Sequence, residues 1–309
     1  MAFQAKQAKR ELIWTKIALM SPSGGGKTYS ALRLATGMAE ELKKVTGKDA
    51  RILMANTEQK RGYYYANEFA YDIVDVESPH NPEKYVELVN WSVEEGYDIL
   101  IIDSSSHEWE GKGGCLELHQ QAGGTYQSWA KVTPRHDKFI IGIADSPIHV
   151  IATMRGKDQY ELSKDDSGKM GVKKLGVGAQ QRSGFEYEFT VSFLLDQKSN
   201  MAESQKDNTH LFEREGSIIL SEDHGKKIIR WANSGEGYTT PVRNVVPPTE
   251  KLAELTEQVI AKCKELGGST NENLMTILKK YEATGDPRKI KDLGILTNLM
   301  TELKTLKIN

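Results

Sequence analysis

Two cysteines in 309 residues, Cys115 and Cys263, are too few for a disulfide scaffold and fit a reducing compartment. Nowhere does the chain run through the roughly 18 apolar residues that a membrane helix needs. The opening stretch, MAFQAKQAKREL, is charged but lacks an apolar h-region, so it does not read as a secretory signal. A cytoplasmic protein is the expectation. An excess of charge is lacking too: 41 basic residues face 43 acidic ones, so nucleic-acid binding would have to come from a local patch. What remains is ordinary for a globular protein, with 38% hydrophobic and 27% charged residues and a mean hydropathy of −0.53. The length suits one large domain or two smaller ones.

The first two-thirds alternates short apolar runs with amphipathic stretches. Residues 13–20, 51–55, 71–76, 97–103 and 148–154 read as strands. Residues 27–44 repeat apolar side chains at helical spacing, and Asn81-Pro82-Glu83 signals a helix reaching about residue 95. The nearly continuous apolar run 97–103 fits a strand buried on both faces. Such alternation predicts an α/β fold with a mostly parallel central sheet and right-handed crossovers. Residues 156–182 are polar and glycine-rich and read as a long functional loop. Residues 185–195 and 217–231 read as antiparallel strands after the core. Three prolines within 239–250 mark a linker, and amphipathic helices follow it. The expected division is therefore a core over 1–238, a linker over 239–250 and a small C-terminal helical region over 251–309.

The segment Ser21-Pro22-Ser23-Gly24-Gly25-Gly26-Lys27-Thr28 lies between the first strand and the first helix, the setting a phosphate-binding loop requires. Glycines let successive N–H groups curl around phosphate oxygens, and the helix N-terminus adds partial positive charge. Ser23, Gly24, Gly25, Gly26, Lys27, Thr28 and Tyr29 are the candidate nucleotide contacts. Lys27 would reach the β- and γ-phosphates of ATP, and Thr28 would offer its hydroxyl to Mg²⁺. The motif's opening glycine is Ser21 here, a position that mainly ends the strand. Asp103, closing the apolar strand, is the second candidate Mg²⁺ residue. Hydrolysis also needs a carboxylate to orient a water. Glu58, Glu108 and Glu110 are candidates that spacing alone does not separate.

This order of motifs resembles the RecA-type recombinase core, and is most similar to the shortened RecA-like ATPases that bacteriophages encode as Sak-type single-strand-annealing recombinases. KIALMSPSGGGKTYSALRLA looks like the phosphate loop, and RILMANTEQKRGYYYA resembles the strand ending in the catalytic glutamate. YDILIIDSSSHEWEG resembles the Asp-Ser strand end. SWAKVTPRH and HVIATMRGK are similar to blocks of the phage subgroup, and GFEYEFTVSFLLDQ to the strand after the second DNA-binding loop. Together these blocks cover about residues 10–235. The resemblance implies a RecA-like P-loop NTPase core with antiparallel strands after it. It puts the catalytic glutamate on Glu58, the γ-phosphate-sensing residue on Thr153 with Arg155 beside it, and a trans-acting lysine on Lys206. No Phe-x-x-Ala polymerisation hook is present, since Phe3 is followed three places later by Lys6. A ring or short oligomer is therefore expected rather than a long filament.

The resemblance also implies that 156–182 lies where RecA proteins contact single-stranded DNA. Six basic against four acidic residues give this segment a net charge of +2. Lys169, Lys173, Lys174 and Arg182 would track phosphates. A single-strand-binding or replication protein is an expected further partner. His107, His119, His136 and Cys115 match no zinc spacing, and no metal beyond Mg²⁺ is expected. Residues 249–309, with ten basic and nine acidic residues, have apolar helix faces that need burial. Two functions stand. One is an ATPase that binds single-stranded DNA and promotes annealing or strand pairing. The other is an ATP-switched interaction protein for replication or packaging with no DNA contact of its own.

Overall fold

A computed structural model describes the backbone of residues 5, 7–164, 170–235 and 248–306, without the side chains of 158–177, 248–251, 254 and 293. The chain divides into two compact units, Met1–Pro241 and Val242–Asn309.

The first unit follows the expected alternation. In chain order it comprises β1 (Lys16–Ser21), α1 (Lys27–Thr46), β2 (Ile52–Asn56), β3 (Asp72–Asp75), α2 (Pro82–Glu94) and β4 (Ile99–Asp103). Three helices follow, α3 (Ser106–Glu110), α4 (Cys115–Gln121) and α5 (Trp129–Asp145). The remaining elements are β5 (His149–Lys164), β6 (Met170–Ala179), β7 (Val191–Leu195), β8 (Ala202–Asp207) and α6 (Glu222–Ala232). The sheet runs β3-β2-β4-β5-β1-β7-β8, with β6 attached to β5. All pairs from β3 to β7 along this path are parallel, and β7–β8 is antiparallel. Every residue of β1, β2 and β4 is buried, as runs covered on both faces should be. Alternation sorts β1 between two cores. Ile17 and Leu19 pack with α1 and α6, whereas Ala18 and Met20 pack in the cluster holding Tyr85, Leu88, Phe139 and Ile143 of α2 and α5. Because the central strands are parallel, Ser21, Asn56 and Asp103 all end at one edge, where Ser21 also pairs in register with Arg155.

Three expectations change. The stretch 156–182 is not a structureless loop: β5 continues to Lys164 and pairs with β6 as an antiparallel hairpin from Gly156↔Ala179 outward. A ladder of backbone hydrogen bonds needs no apolar repeat, so composition concealed it. Residues 217–231 do not form a strand. Ser221 and His224 make a reciprocal capping box, and Gly225, Ile228, Ile229 and Ala232 bury one helical stripe of α6. Of the stretch 185–195, only Val191–Leu195 forms a strand, antiparallel to β8 as expected and also parallel to β1. In the second unit, α7 (Pro248–Glu265), α8 (Glu272–Tyr281) and α9 (Leu293–Thr305) enclose Val259, Leu266, Leu274, Leu278, Leu296 and Leu299. The side chains of Asn271 and Asp292 cap α8 and α9 by accepting from Leu274 N and Ile295 N.

Helix α1 is clamped against α6 at two glycines. A Cβ at Gly37 would lie 1.8 Å from the Glu222 carbonyl oxygen, and one at Gly225 would lie 2.1 Å from that of Leu34. Around this crossing, Arg33 grips Glu222 and Arg230 grips Glu41, each through two guanidinium nitrogens. Gly37→Ala should therefore force the helices apart and lower stability by about 1–3 kcal/mol, read as a drop in the urea midpoint at unchanged slope.

Candidate nucleotide site

Between β1 and α1 the chain turns through Gly24 and Gly26, whose φ angles of 85° and 78° are in the left-handed region that suits glycine. Gly25 is pressed onto Ser21, where a Cβ would meet the hydroxyl oxygen at 1.7 Å. No side chain caps the N-terminus of α1, so its first N–H groups point toward the loop and favour an anion. The Lys27 ammonium donates to the carbonyl oxygens of Ser21 (2.8 Å) and Pro22 (3.0 Å). Burial pulls its pKa below the ordinary lysine value, against the opposing pull of Asp103 and Glu58.

Asp103 is 3% exposed and held by two hydroxyls. Thr28 donates to Oδ2 at 2.6 Å, and Thr153 of β5 donates to Oδ1 at 2.5 Å. Burial raises the carboxyl's pKa, and the two hydrogen bonds work against that rise. A hydroxyl and a carboxylate side by side at a phosphate loop are the hard oxygen donors a magnesium ion takes, so these residues fit Mg²⁺.

Glu58 sits just past β2, its N–H donating to Asn56 Oδ1 at 3.1 Å. Its carboxylate is held by Arg155, whose Nε reaches Oε1 at 3.0 Å and whose Nη2 reaches Oε1 and Oε2 at 2.8 and 2.9 Å. Arg61 stands 3.6 Å from the same carboxylate, and Glu110 stands 3.9 Å from Arg155 on the other side. Burial raises the Glu110 pKa, opposed by Arg155 and Lys157. Thr57, next to Glu58, ties β2 to the end of β4. Its hydroxyl accepts from Ser104 N at 2.7 Å and hydrogen-bonds His107 Nδ1 at 2.6 Å.

These groups open on one cleft of about 990 Å³. Ser23, Gly24, Gly26, Lys27, Thr28, Tyr29, Glu58, Asp103 and Arg155 all line it, so the predicted phosphate, metal and catalytic positions converge. Gly25 lies beneath them, and Thr153 acts from behind through Asp103. Sequence reasoning missed Arg33, Arg61, Ser199, Asn200, Ile219 and Leu220 in the lining. The polar turn after β7 reaches the phosphate loop, where Gln197 Nε2 donates to Ser23 O at 2.7 Å. A lone polar turn carries no signal of such a long-range contact. Tyr29 meets Tyr65 and Phe69 edge-on at 5.3 Å each, and Tyr64 is 68% exposed at the cleft.

Other predicted residues do not join the cleft. Glu108 is fully buried against His136 and Cys115. Lys206 donates to the carbonyl oxygens of Tyr187 and, at 2.8 Å, Phe189. Arg182 pairs with Asp137 at 2.7 Å. Lys169 lies outside the described residues, and of Lys173 and Lys174 only the backbone, on β6, is described. Lys27→Ala should weaken ATP binding roughly 10- to 100-fold, since a charged hydrogen bond is worth about 1.5–3 kcal/mol. Titration with a fluorescent ATP analogue checks this, with circular dichroism to confirm folding.

Residues 14–226 match the family described as an AAA domain. A comparison with curated proteins gives no match. The matched stretch is most of the chain and contains every residue that lines the cleft. Among the described residues no helix is long and apolar enough to cross a membrane. The chain belongs to the AAA-domain family of nucleotide-binding P-loop ATPases.

Proposed function

We propose that this ATPase is a RecA-like phage recombinase of the Sak type, which binds single-stranded DNA in an ATP-dependent way and promotes annealing or strand pairing. Arg155 carries the reading. It grips Glu58 at the nucleotide cleft, and the next residue, Gly156, begins the pairing of β5 with β6. One side chain thus joins the position of the water-orienting carboxylate to the root of the hairpin that bears Lys173 and Lys174.

The steps follow from the chain's own groups. When the polyphosphate of ATP enters, the Lys27 ammonium exchanges two neutral carbonyl acceptors for charged phosphate oxygens, a stronger partner. The guanidinium of Arg155 is drawn toward the same charge, which loosens its hold on Glu58. The freed carboxylate accepts a hydrogen bond from the attacking water and orients it in line with the γ-phosphorus. Thr28 and Asp103 would hold Mg²⁺, which would neutralise charge developing on the phosphates. Thr153 keeps Asp103 oriented. Assembly as a ring or short oligomer, with Lys206 acting on a neighbour's cleft, belongs to the same reading, as does a single-strand-binding or replication protein as partner.

Glu58→Gln keeps the shape and removes the base. Turnover should fall about a hundredfold or more while ATP affinity is kept, because Arg155 then loses a charged competitor for phosphate. Single-turnover hydrolysis beside equilibrium binding measures both, and the same loss in Glu110→Gln instead would overturn the assignment.

The DNA contact is tested on Lys169, Lys173 and Lys174 together. Replacing all three with alanine should flatten the log–log salt dependence of single-strand binding by about 2, at roughly 0.7 per phosphate contact. Turnover without DNA should persist. An unchanged slope would remove the hairpin as the DNA contact and favour the ATP-switched interaction protein.

A further inference from the structure

Apart from the cleft, one cluster of metal-ligating side chains is buried in the first unit among the described residues. Glu108 of α3, Cys115 of α4 and His136 of α5 are each 0% exposed. The Cys115 thiol lies 3.0 Å from Glu108 Oε1, and His136 Nδ1 lies 3.0 and 3.1 Å from the two carboxylate oxygens. One donor atom from each residue falls within 4.8 Å of the other two. Gln181 Nε2 steadies the carboxylate at 3.3 Å and also donates to Ser105 O at 3.1 Å. The imidazole is boxed in by Trp109, Phe139 and Phe185, with ring centroids 5.1–6.3 Å away, and its Nε2 has no hydrogen-bond partner among the described residues.

We infer that Glu108, Cys115 and His136 form a binding site for a zinc ion, separate from the nucleotide cleft. The donor set of one sulfur, one imidazole nitrogen and one carboxylate oxygen suits zinc, and suits magnesium poorly. Charge points the same way. Among the described residues Glu108 has no lysine or arginine ion-pair partner, only His136. An ionised carboxylate at this depth is costly without a counter-charge. A divalent cation bound by a thiolate, a carboxylate and a neutral imidazole leaves the site uncharged. Ligand atoms around tetrahedral zinc are about 3.4 Å apart, given bonds of roughly 2.0–2.3 Å. The Glu108 carboxylate lies 3.0–3.1 Å from the sulfur and from Nδ1, a few tenths of an ångström short of that spacing, and the sulfur and Nδ1 lie within 4.8 Å of each other. On binding, the Cys115 S–H bond breaks, the sulfur–zinc bond forms and the proton goes to solvent. Three protein donors leave a fourth position for water. The ion would staple α3, α4 and α5 together and fix α3, which follows directly from Asp103. It acts on structure and takes no part in hydrolysis.

The spacing of the three residues matches no zinc motif because each sits on a different helix. A zinc site here goes beyond the expectation of Mg²⁺ alone. Protein purified from medium with added zinc, then desalted, should carry about one zinc per chain by atomic emission. Zinc should stay at that level in Cys263→Ser and fall to background in Cys115→Ser and His136→Asn. Wild-type protein stripped with a chelator and given Co²⁺ alone should develop a thiolate-to-cobalt charge-transfer band, which keeps the test independent of whether the variants fold. Absence of zinc in wild-type protein together with absence of that band would overturn the site. So would a band that persists in a folded Cys115→Ser. Neither result bears on the cleft, whose nucleotide binding is measured separately.

Discussion

The carboxylate of Asp103 is the constraint on which the site depends. Burying it costs several kcal/mol unless its oxygens are hydrogen-bonded, and two hydroxyls do that. One belongs to the first turn of α1, the other to β5. Because β5 lies between β4 and β1 in the sheet, the same carboxylate fixes the phosphate loop, the end of β4 and the root of the β5–β6 hairpin at once. A change that spoils any one of the three contacts reaches the other two.

Around Asp103 the charges are arranged as a set of exchangeable partners. Lys27, Arg61 and Arg155 face Asp103, Glu58 and Glu110, and none of the three cations holds a partner as highly charged as a triphosphate. Lys27 rests on carbonyl oxygens, and Arg155 divides itself between two carboxylates. Arrival of a polyanion shifts such a set toward new pairings because the differential interaction is large, not because any single bond is weak. Asp103 alone cannot move with them, held as it is by hydroxyls on two sides.

Sequence was most informative where chemistry is local. Lys27, Thr28 and Asp103 follow from a glycine-rich turn and an apolar strand, both visible within a few residues, and the strand–helix alternation placed most of the sheet. Glu58 could not be told from Glu108 and Glu110 by spacing. That Glu58 lines the cleft depends on β2 lying beside β4, a contact between residues 47 positions apart. The hairpin was hidden because its strands are held by backbone pairing, which leaves little trace in side-chain pattern. Helix α6 was misread because Ile228-Ile229 looks like part of a strand until Ser221 and His224 are seen to cap a helix. The Glu108–Cys115–His136 cluster had no linear signature at all, since three helices assemble it.

Where nucleotide-driven motion travels can be argued from packing. Helix α1 carries Lys27 and Thr28 at its start, yet at Gly37 it lies against α6 with no room for even a methyl group, and two bidentate pairs brace that crossing. A close-packed interface of this kind resists gradual displacement. Binding energy applied at the phosphate loop is therefore poorly passed along α1. Arg155 has the opposite character: its side chain is part-exposed, its partners are exchangeable, and its backbone leads straight into a hairpin whose strands, among the described residues, pair with each other beyond Gly156. The compliant route out of the cleft runs through β5. By reciprocity, whatever binds the hairpin and biases Arg155 must alter the affinity for nucleotide by the same factor.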